Sequence, residues 1–506
     1  MFIKYCLCLL IFIKGVILCN GEEKILGLST DNIANSDITL SKSIPKEKDK
    51  VTIKARLHNL GKEAVKNVAV SFFLGDPDKG GKLIGSPRTI SEIMGQGAAT
   101  SSVEWDADKN GLYSIWVSAL SKSPPCKATA SLEVPVVVKD LYFWTWGMTV
   151  KDARYVNNTI TVTGKTKEEQ EEARDYWRNR GCIPLLYKTG VSRKGQSEED
   201  FVNYWSSADK EGFPGILLDE IGCFPGTEPE DKASEQYAAI LLKALRKVKK
   251  ETPKLFLAVC NAGNLNPVEC AGYREGADLV LLEIYINYFR AFFKTHSFYK
   301  YFDHRIEMAR NLDLLDKSIV ILSIDKLFGA STFSEIEEQV RYVVKTAPEM
   351  PGIAFWGGGA SREWADKTGL PRFCDQLALK YYIKPVLMLK QEDITFSNYQ
   401  PKVGEKTTVS VMVHNIGGMD ANDIEIKFYN ETDGKKGLIG SRKIKILPAG
   451  QKIVDKDRYP MGQEMVNIDW EPQNNGYQNI IVEIDPPKGM TVLDGRLGKM
   501  ICVDPS

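Results

Sequence analysis

Two acidic residues stand side by side at Asp219-Glu220, where the apolar run PGILLDEIG ends, and a third, Glu283, lies near the end of LVLLEIYI. Tyr285 follows Glu283 at the next like-facing position of an extended chain, and Asp325 closes SIVILSID. Carboxylates supplied by separate segments suit one kind of work: one protonates a departing oxygen while another stabilises or traps the cationic carbon left behind. The same segment ends carry flat rings: Trp144 and Trp146 in LYFWTWG, Tyr187 in CIPLLYKTG and Trp356 in PGIAFWGGG, with the Asn261 amide in LFLAVCNAG. Such rings stack on the apolar faces of sugars, so acids, rings and an amide together read as a carbohydrate cleft.

Within that set Glu220 is the candidate general acid, because two close carboxylates resist both being ionised and Asp219 holds its neighbour's proton in place. Glu283 is the candidate nucleophile or base, oriented by Tyr285, with Asp325 as its substitute. Trp144, Trp146, Tyr187, Asn261, Tyr285, Asp325 and Trp356 are the expected substrate-binding residues. Side chains alternate along a strand, so Asp219 and Glu220 cannot both point inward while that strand is regular; one belongs to the strand end and the other to the turn. The plain alternatives are a turn cap at Asp219, a surface ion pair at Glu220, a satisfied carboxylate at Glu283 and simple packing for the tryptophans.

The elements that must position these residues are apolar runs of five to eight residues, alternating with amphipathic stretches such as KEEQEEARDYWRNRG and FSEIEEQVRYVVKTAP. Runs that are apolar throughout, joined by helical crossovers, predict a parallel sheet buried on both faces. Seven strands are clear, and YVNNTITVTG is either an eighth or a loop insertion. Residues 139–384 therefore read as a (β/α)8 TIM-like barrel, complete or one strand short, whose chemistry belongs at the carboxyl ends of the strands. A doubly wound sheet is the alternative. No Gly-rich phosphate fingerprint follows any strand, so no nucleotide or other cofactor is expected.

This layout resembles glycoside-hydrolase barrels. Gly215, Ile216, Asp219, Tyr285 and Trp356 can be laid on the plan of chitinase-like family 18 enzymes, which have a G-I-x-x-D strand, a tyrosine and acid two strands later, and a tryptophan on the last strand. The spaced acidic run of that family is replaced here by the adjacent Asp219-Glu220, which resembles instead the Asn-Glu of the large retaining clan or the LD ending of polygalactosaminidase-like barrels. The resemblance implies the superfamily plan, a carbohydrate substrate and hydrolysis of an O-glycosyl bond, without selecting one family.

On either side of the barrel the chain repeats itself. DITLSKSIPKEKDKVTIKARLHNLG from Asp37 returns as DITFSNYQPKVGEKTTVSVMVHNIGG from Asp393, and WDADKNGLYSIWV from Trp105 returns as WEPQNNGYQNIIV from Trp470. Alternation such as Val51, Ile53, Ala55, Leu57 and Val409, Val411, Val413 predicts antiparallel two-sheet sandwiches over residues 21–138 and 385–506, with Trp105 and Trp470 in their cores. A strand ending in HN(L/I)G, an apolar strand, a hairpin ending in LIGS at Leu83 and Leu438, and a strand after an Asn-Gly turn together resemble the CARDB module, an immunoglobulin-like domain of bacterial surface and secreted proteins. His58 and His414 are read as part of the module's own packing.

A chain of 506 residues exceeds what one core of roughly 250 to 300 residues can organise, which agrees with three domains. Basic and acidic residues balance at 66 each, so no field draws the chain to nucleic acid or an anionic membrane. Residues 1–20 combine Lys4 with an apolar run and read as a secretory signal peptide; the rival is a lipid anchor at Cys19, although Leu18 stands where such signals need a small residue. A secreted or cell-surface location follows, with no further run long enough to span a membrane. Without a CxxC pair or clustered histidines no metal site is expected, and one disulfide among Cys182, Cys223 and Cys260 stays open. Asn157 and Asn430 begin glycosylation sequons. Two readings result: a secreted glycoside hydrolase, or a non-catalytic surface protein that binds glycan or a cell-surface partner through its sandwich modules.

Overall fold

A computed structural model describes residues 25–30, 36–146, 156, 158–189, 197–221, 232–261, 265, 267–284, 298–324, 332–357, 369–432, 434–450 and 462–506. Its centre is a closed barrel of eight parallel strands. These are β1 (Tyr142–Trp146), β2 (Thr159–Val162), β3 (Ile183–Thr189), β4 (Gly215–Ile221), β5 (Phe256–Asn261), β6 (Leu279–Ile284), β7 (Ser318–Ser323) and β8 (Gly352–Trp356). The ambiguous YVNNTITVTG segment supplies β2, so the barrel is complete. Gly352 makes closure geometrically feasible, because a Cβ there would lie 1.9 Å from the Tyr142 carbonyl oxygen on the strand it seals against.

Strand apolarity is explained by two separate cores. Leu185, Leu217, Ala258, Leu281 and Ile321 fill the interior, while Ile216, Leu218, Leu257, Val259 and Leu282 face the surrounding helices. Those helices include α1 (Lys167–Arg178), α2 (Glu198–Lys210), α3 (Lys232–Glu251), α4 (Pro267–Gly276), α5 (Phe298–Asn311), α6 (Phe333–Thr346) and α7 (Leu370–Ala378). Capping boxes start three of them: Thr166 with Glu169 for α1, Ser197 with Asp200 for α2 and Thr332 with Glu335 for α6. Phe298, Tyr301 and Phe302 are buried on α5.

Each flanking region contains two sheets enclosing a single apolar core, with Trp105 and Trp470 both buried. The repeated HN(L/I)G motif is a structural clip in both copies. Nδ2 of Asn59 donates to the carbonyls of Glu63 and Ile93, and Nδ2 of Asn415 to those of Met419 and Leu447. Each preceding histidine bonds the aspartate that opens the repeat, His58 to Asp37 at 2.8 Å and His414 to Asp393 at 2.5 Å.

The clip docks in only one copy. Ile416 and Met419 are buried among residues of the barrel's outer core, whereas Leu60, the counterpart of Ile416, is 55% exposed beside exposed Lys62 and Glu63. The docked loop accepts two hydrogen bonds from the chain entering the barrel: the Val138 amide to the Gly418 carbonyl at 3.0 Å, and Nζ of Lys139 to the Ile416 carbonyl at 3.1 Å. Gly417 of the same loop lies against the chain leaving the barrel, where a Cβ would sit 2.0 Å from the Lys384 carbonyl oxygen.

Candidate active site at the carboxyl ends of the barrel strands

The third clear strand of the sequence, β4, ends irregularly. Leu218 pairs with Val259 and Ile221 with Asn261, so Asp219 and Glu220 together oppose Cys260, and the strand carries a β-bulge. Leu218 and Ile221 both pack in the outer core, while Asp219 faces the interior. Strict alternation, the premise of the sequence argument about this pair, therefore fails at these two residues; a bulge commonly re-aims side chains beside functional sites.

Asp219 meets partners from neighbouring strands. It is 8% exposed, and the Tyr187 hydroxyl on β3 donates to its Oδ2 at 2.8 Å. On β5 the Cys260 thiol donates to Oε1 of Glu283, on β6, at 3.2 Å. One oxygen each from Asp219 and Glu283 and the Cys260 sulfur lie within 4.8 Å of one another. The inward positions of β4 and β6 bring the carboxyls together over the intervening β5, in the alternate-strand layering of such barrels. Trp356 is half-buried against the interior residues, and Ser323 beside it in register is buried with no hydrogen-bond partner for Oγ among the described residues.

Two expected ligand-binding residues lie elsewhere. Trp144 is 1% exposed, packed deep in the barrel with Nε1 donating to Oγ1 of Thr161 at 2.8 Å, so its ring offers no face to a sugar. Asn261 has the outward parity of β5: its fully buried side chain bonds Arg305 of α5, Tyr273 of α4 and the Ile221 carbonyl behind the barrel wall. Tyr285 and Asp325 lie outside the described residues, as do the side chains of Trp146 and Glu220, the leader at residues 1–20, Cys223 and Asn157. Cys182 lies just before β3 and Cys260 toward the opposite end of β5, and no disulfide joins them.

Cys260 and Arg305 are the residues that sequence reasoning passed over. A signal for Cys260 was available in the parity of FLAVCN, where bulky Leu257 and Val259 face the helices and small Ala258 and Cys260 face inward. Arg305 carries no such signal, since its role depends on where α5 packs. The Asp219, Cys260 and Glu283 donors could also hold a divalent cation, an arrangement that spacing along the chain did not predict. A metal there would displace the Cys260–Glu283 hydrogen bond and require the thiolate.

No protein-family model matches the chain, and none of the curated proteins does. Among solved structures, a β-glucuronidase of Bacteroides uniformis is similar over 93% of this chain at 12% identity and TM-score 0.32; this chain spans 61% of that enzyme's length. A cycloisomaltooligosaccharide glucanotransferase of Paenibacillus sp. is similar over 92% of this chain and 71% of its own, at 9% identity and TM-score 0.34. A CARDB domain from Pyrococcus furiosus is similar over 24% of this chain and 90% of its own, at 16% identity and TM-score 0.19. The chain thus has structural neighbours among both sugar-processing proteins and CARDB domains.

Proposed function

We propose that this protein is a secreted glycoside hydrolase whose catalytic pair is Asp219 and Glu283. The carrying observation is the approach of their carboxyl oxygens to within 4.8 Å at the carboxyl ends of β4 and β6. A separation of no more than 4.8 Å falls short of the roughly 6.5 to 9.5 Å that leaves room for an inverting water, which favours the retaining arrangement. In this reading the Tyr187 phenol, a stronger and closer donor than the Cys260 thiol is to Glu283, favours the ionised form at Asp219, which attacks or stabilises the anomeric carbon. Glu283 then gives its proton to the departing glycosidic oxygen and later takes one from the attacking water. These roles reverse the sequence expectation for Glu283, and Glu220, on the bulge beside Asp219, is the alternative acid. Trp356 and Tyr187 border the substrate, a polysaccharide or glycoconjugate.

The flanking sandwiches belong to the same proposal as immunoglobulin-like, CARDB-like modules that present the barrel outside the cell. The apolar leader supports export. A glycan-array and reducing-sugar screen of the wild type beside Asp219→Asn, Glu283→Gln and Glu220→Gln tests the reading. Hydrolysis with retained anomeric configuration, lost in the first two variants, is the expected result. Glycan binding without hydrolysis by the wild type would favour the non-catalytic surface protein instead.

A further inference from the structure

We infer that Arg305 is a positioning residue for this site, acting through Asn261 on the bulge that aims Asp219 toward Glu283; the inference rests on the hydrolase reading for its catalytic consequence and on geometry for the rest. Arg305 is fully buried on α5, and its Nη2 donates to Asn261 Oδ1 at 2.7 Å and to the Asn261 carbonyl at 3.4 Å, while Nη1 donates to the Tyr301 hydroxyl at 2.9 Å. A guanidinium only donates, so the amide must turn its oxygen to Arg305. Its NH2 end is thereby directed to the Ile221 carbonyl, 3.3 Å away, which only accepts. Ile221 is the residue at which β4 resumes pairing after the bulge, and its partner there is Asn261. The amide therefore clamps the far side of the Asp219-Glu220 irregularity, and Arg305 sets which way the clamp faces.

A packing role alone does not account for this side chain. An aliphatic residue would fill the volume without the desolvation that a buried guanidinium incurs, but also without the donors that meet the Asn261 amide oxygen and the Tyr301 hydroxyl.

Hydrogen-exchange mass spectrometry on the full chain tests the inference with Arg305→Met and Asn261→Asp. The second variant keeps an acceptor for Arg305 but sets an oxygen against the Ile221 carbonyl, so it separates loss of the clamp from loss of the Arg305 contact. Both are expected to speed exchange in peptides covering Gly215–Ile221 by about tenfold or more while peptides from β7 and β8 stay unchanged. On a glycan that the wild type hydrolyses, kcat is expected to fall about 10- to 100-fold with KM little changed. Uniform acceleration over the whole barrel, or an unchanged Gly215–Ile221 peptide, would overturn the positioning role. If Arg305→Met does not fold, Asn261→Asp decides by the same peptides. A wild type with no hydrolase activity would end the catalytic reading and leave the exchange result to judge the clamp.

Discussion

The Tyr187 hydroxyl donates to Oδ2 of Asp219 at 2.8 Å, across the step from β3 to β4. A phenol aimed at a buried carboxylate stabilises its charge, and hydrogen bonds to charged groups contribute about 1.5 to 3 kcal/mol. Tyr187→Phe should therefore lower kcat/KM by roughly 10- to 100-fold at neutral pH and, because it strips a donor from a buried carboxylate while keeping the ring, cost about 1 to 3 kcal/mol of stability. An unaltered rate would remove Tyr187 from the site.

Asp219 and Glu283 should behave as one unit. Either Asp219→Asn or Glu283→Gln is expected to reduce kcat by at least about 10³-fold, and the double variant to be little worse than the poorer single, because groups acting together lose their effect together. Additive losses in the steady-state rates would mean that the two carboxyls serve separate steps.

The junction between the barrel and the second flanking module holds a buried lysine. Burial pushes Lys139 from its usual 10.5 down to about 8, and Nζ donates to the neutral Ile416 carbonyl. Below pH 8 the group is charged in both folded and unfolded chains, so folding carries the desolvation cost; between pH 8 and 10.5 the unfolded chain binds more protons and stability rises with pH. Replacing Lys139 with Met removes that dependence. Relative to Lys139→Met, the wild type should gain on the order of 3 kcal/mol from pH 7.5 to 10.5 in the unfolding step that separates these domains. Parallel pH profiles in denaturant titrations would contradict a charge buried at the docking loop.

Trp144 tests the barrel interior. Its indole is 1% exposed and anchored on Thr161. Trp144→Ala should destabilise the barrel by about 3 to 5 kcal/mol through the cavity it leaves. Trp144→Phe, which keeps the ring and loses the hydrogen bond, should cost about 1 to 3 kcal/mol. If the alanine variant instead keeps its melting temperature and loses sugar affinity, Trp144 is a ligand platform after all.

Much of the fold was legible because periodicity is a property of one segment at a time. Runs such as GILLDEI and LVLLEI are apolar on both faces, and only a sheet covered within and without buries them; the strands Asp49–Asn59 and Thr407–Asn415 alternate, and only a one-sided sheet suits that. The repeated HN(L/I)G motif reads as part of each module's own packing, and in both copies its asparagine bonds the loop that follows. The second strand was ambiguous from sequence because Thr159–Val162 is short and half polar, and pairing with its neighbours on both sides is what makes it a strand.

Sequence alone thus determined the residue types of the site, the strands that carry them and the order of the three regions. Tertiary structure decided which of those residues meet. Register and closure set Asp219 against Glu283 with Cys260 between their strands, and a single extra residue in β4 overrode the alternation on which the sequence argument relied. The parity of β5 sent Asn261 outward to Arg305 and turned Cys260 inward, and depth in the barrel made Trp144 a core residue. Proximity in a barrel depends on pairings between segments far apart in the chain, and no local pattern encodes the offset of one strand against the next.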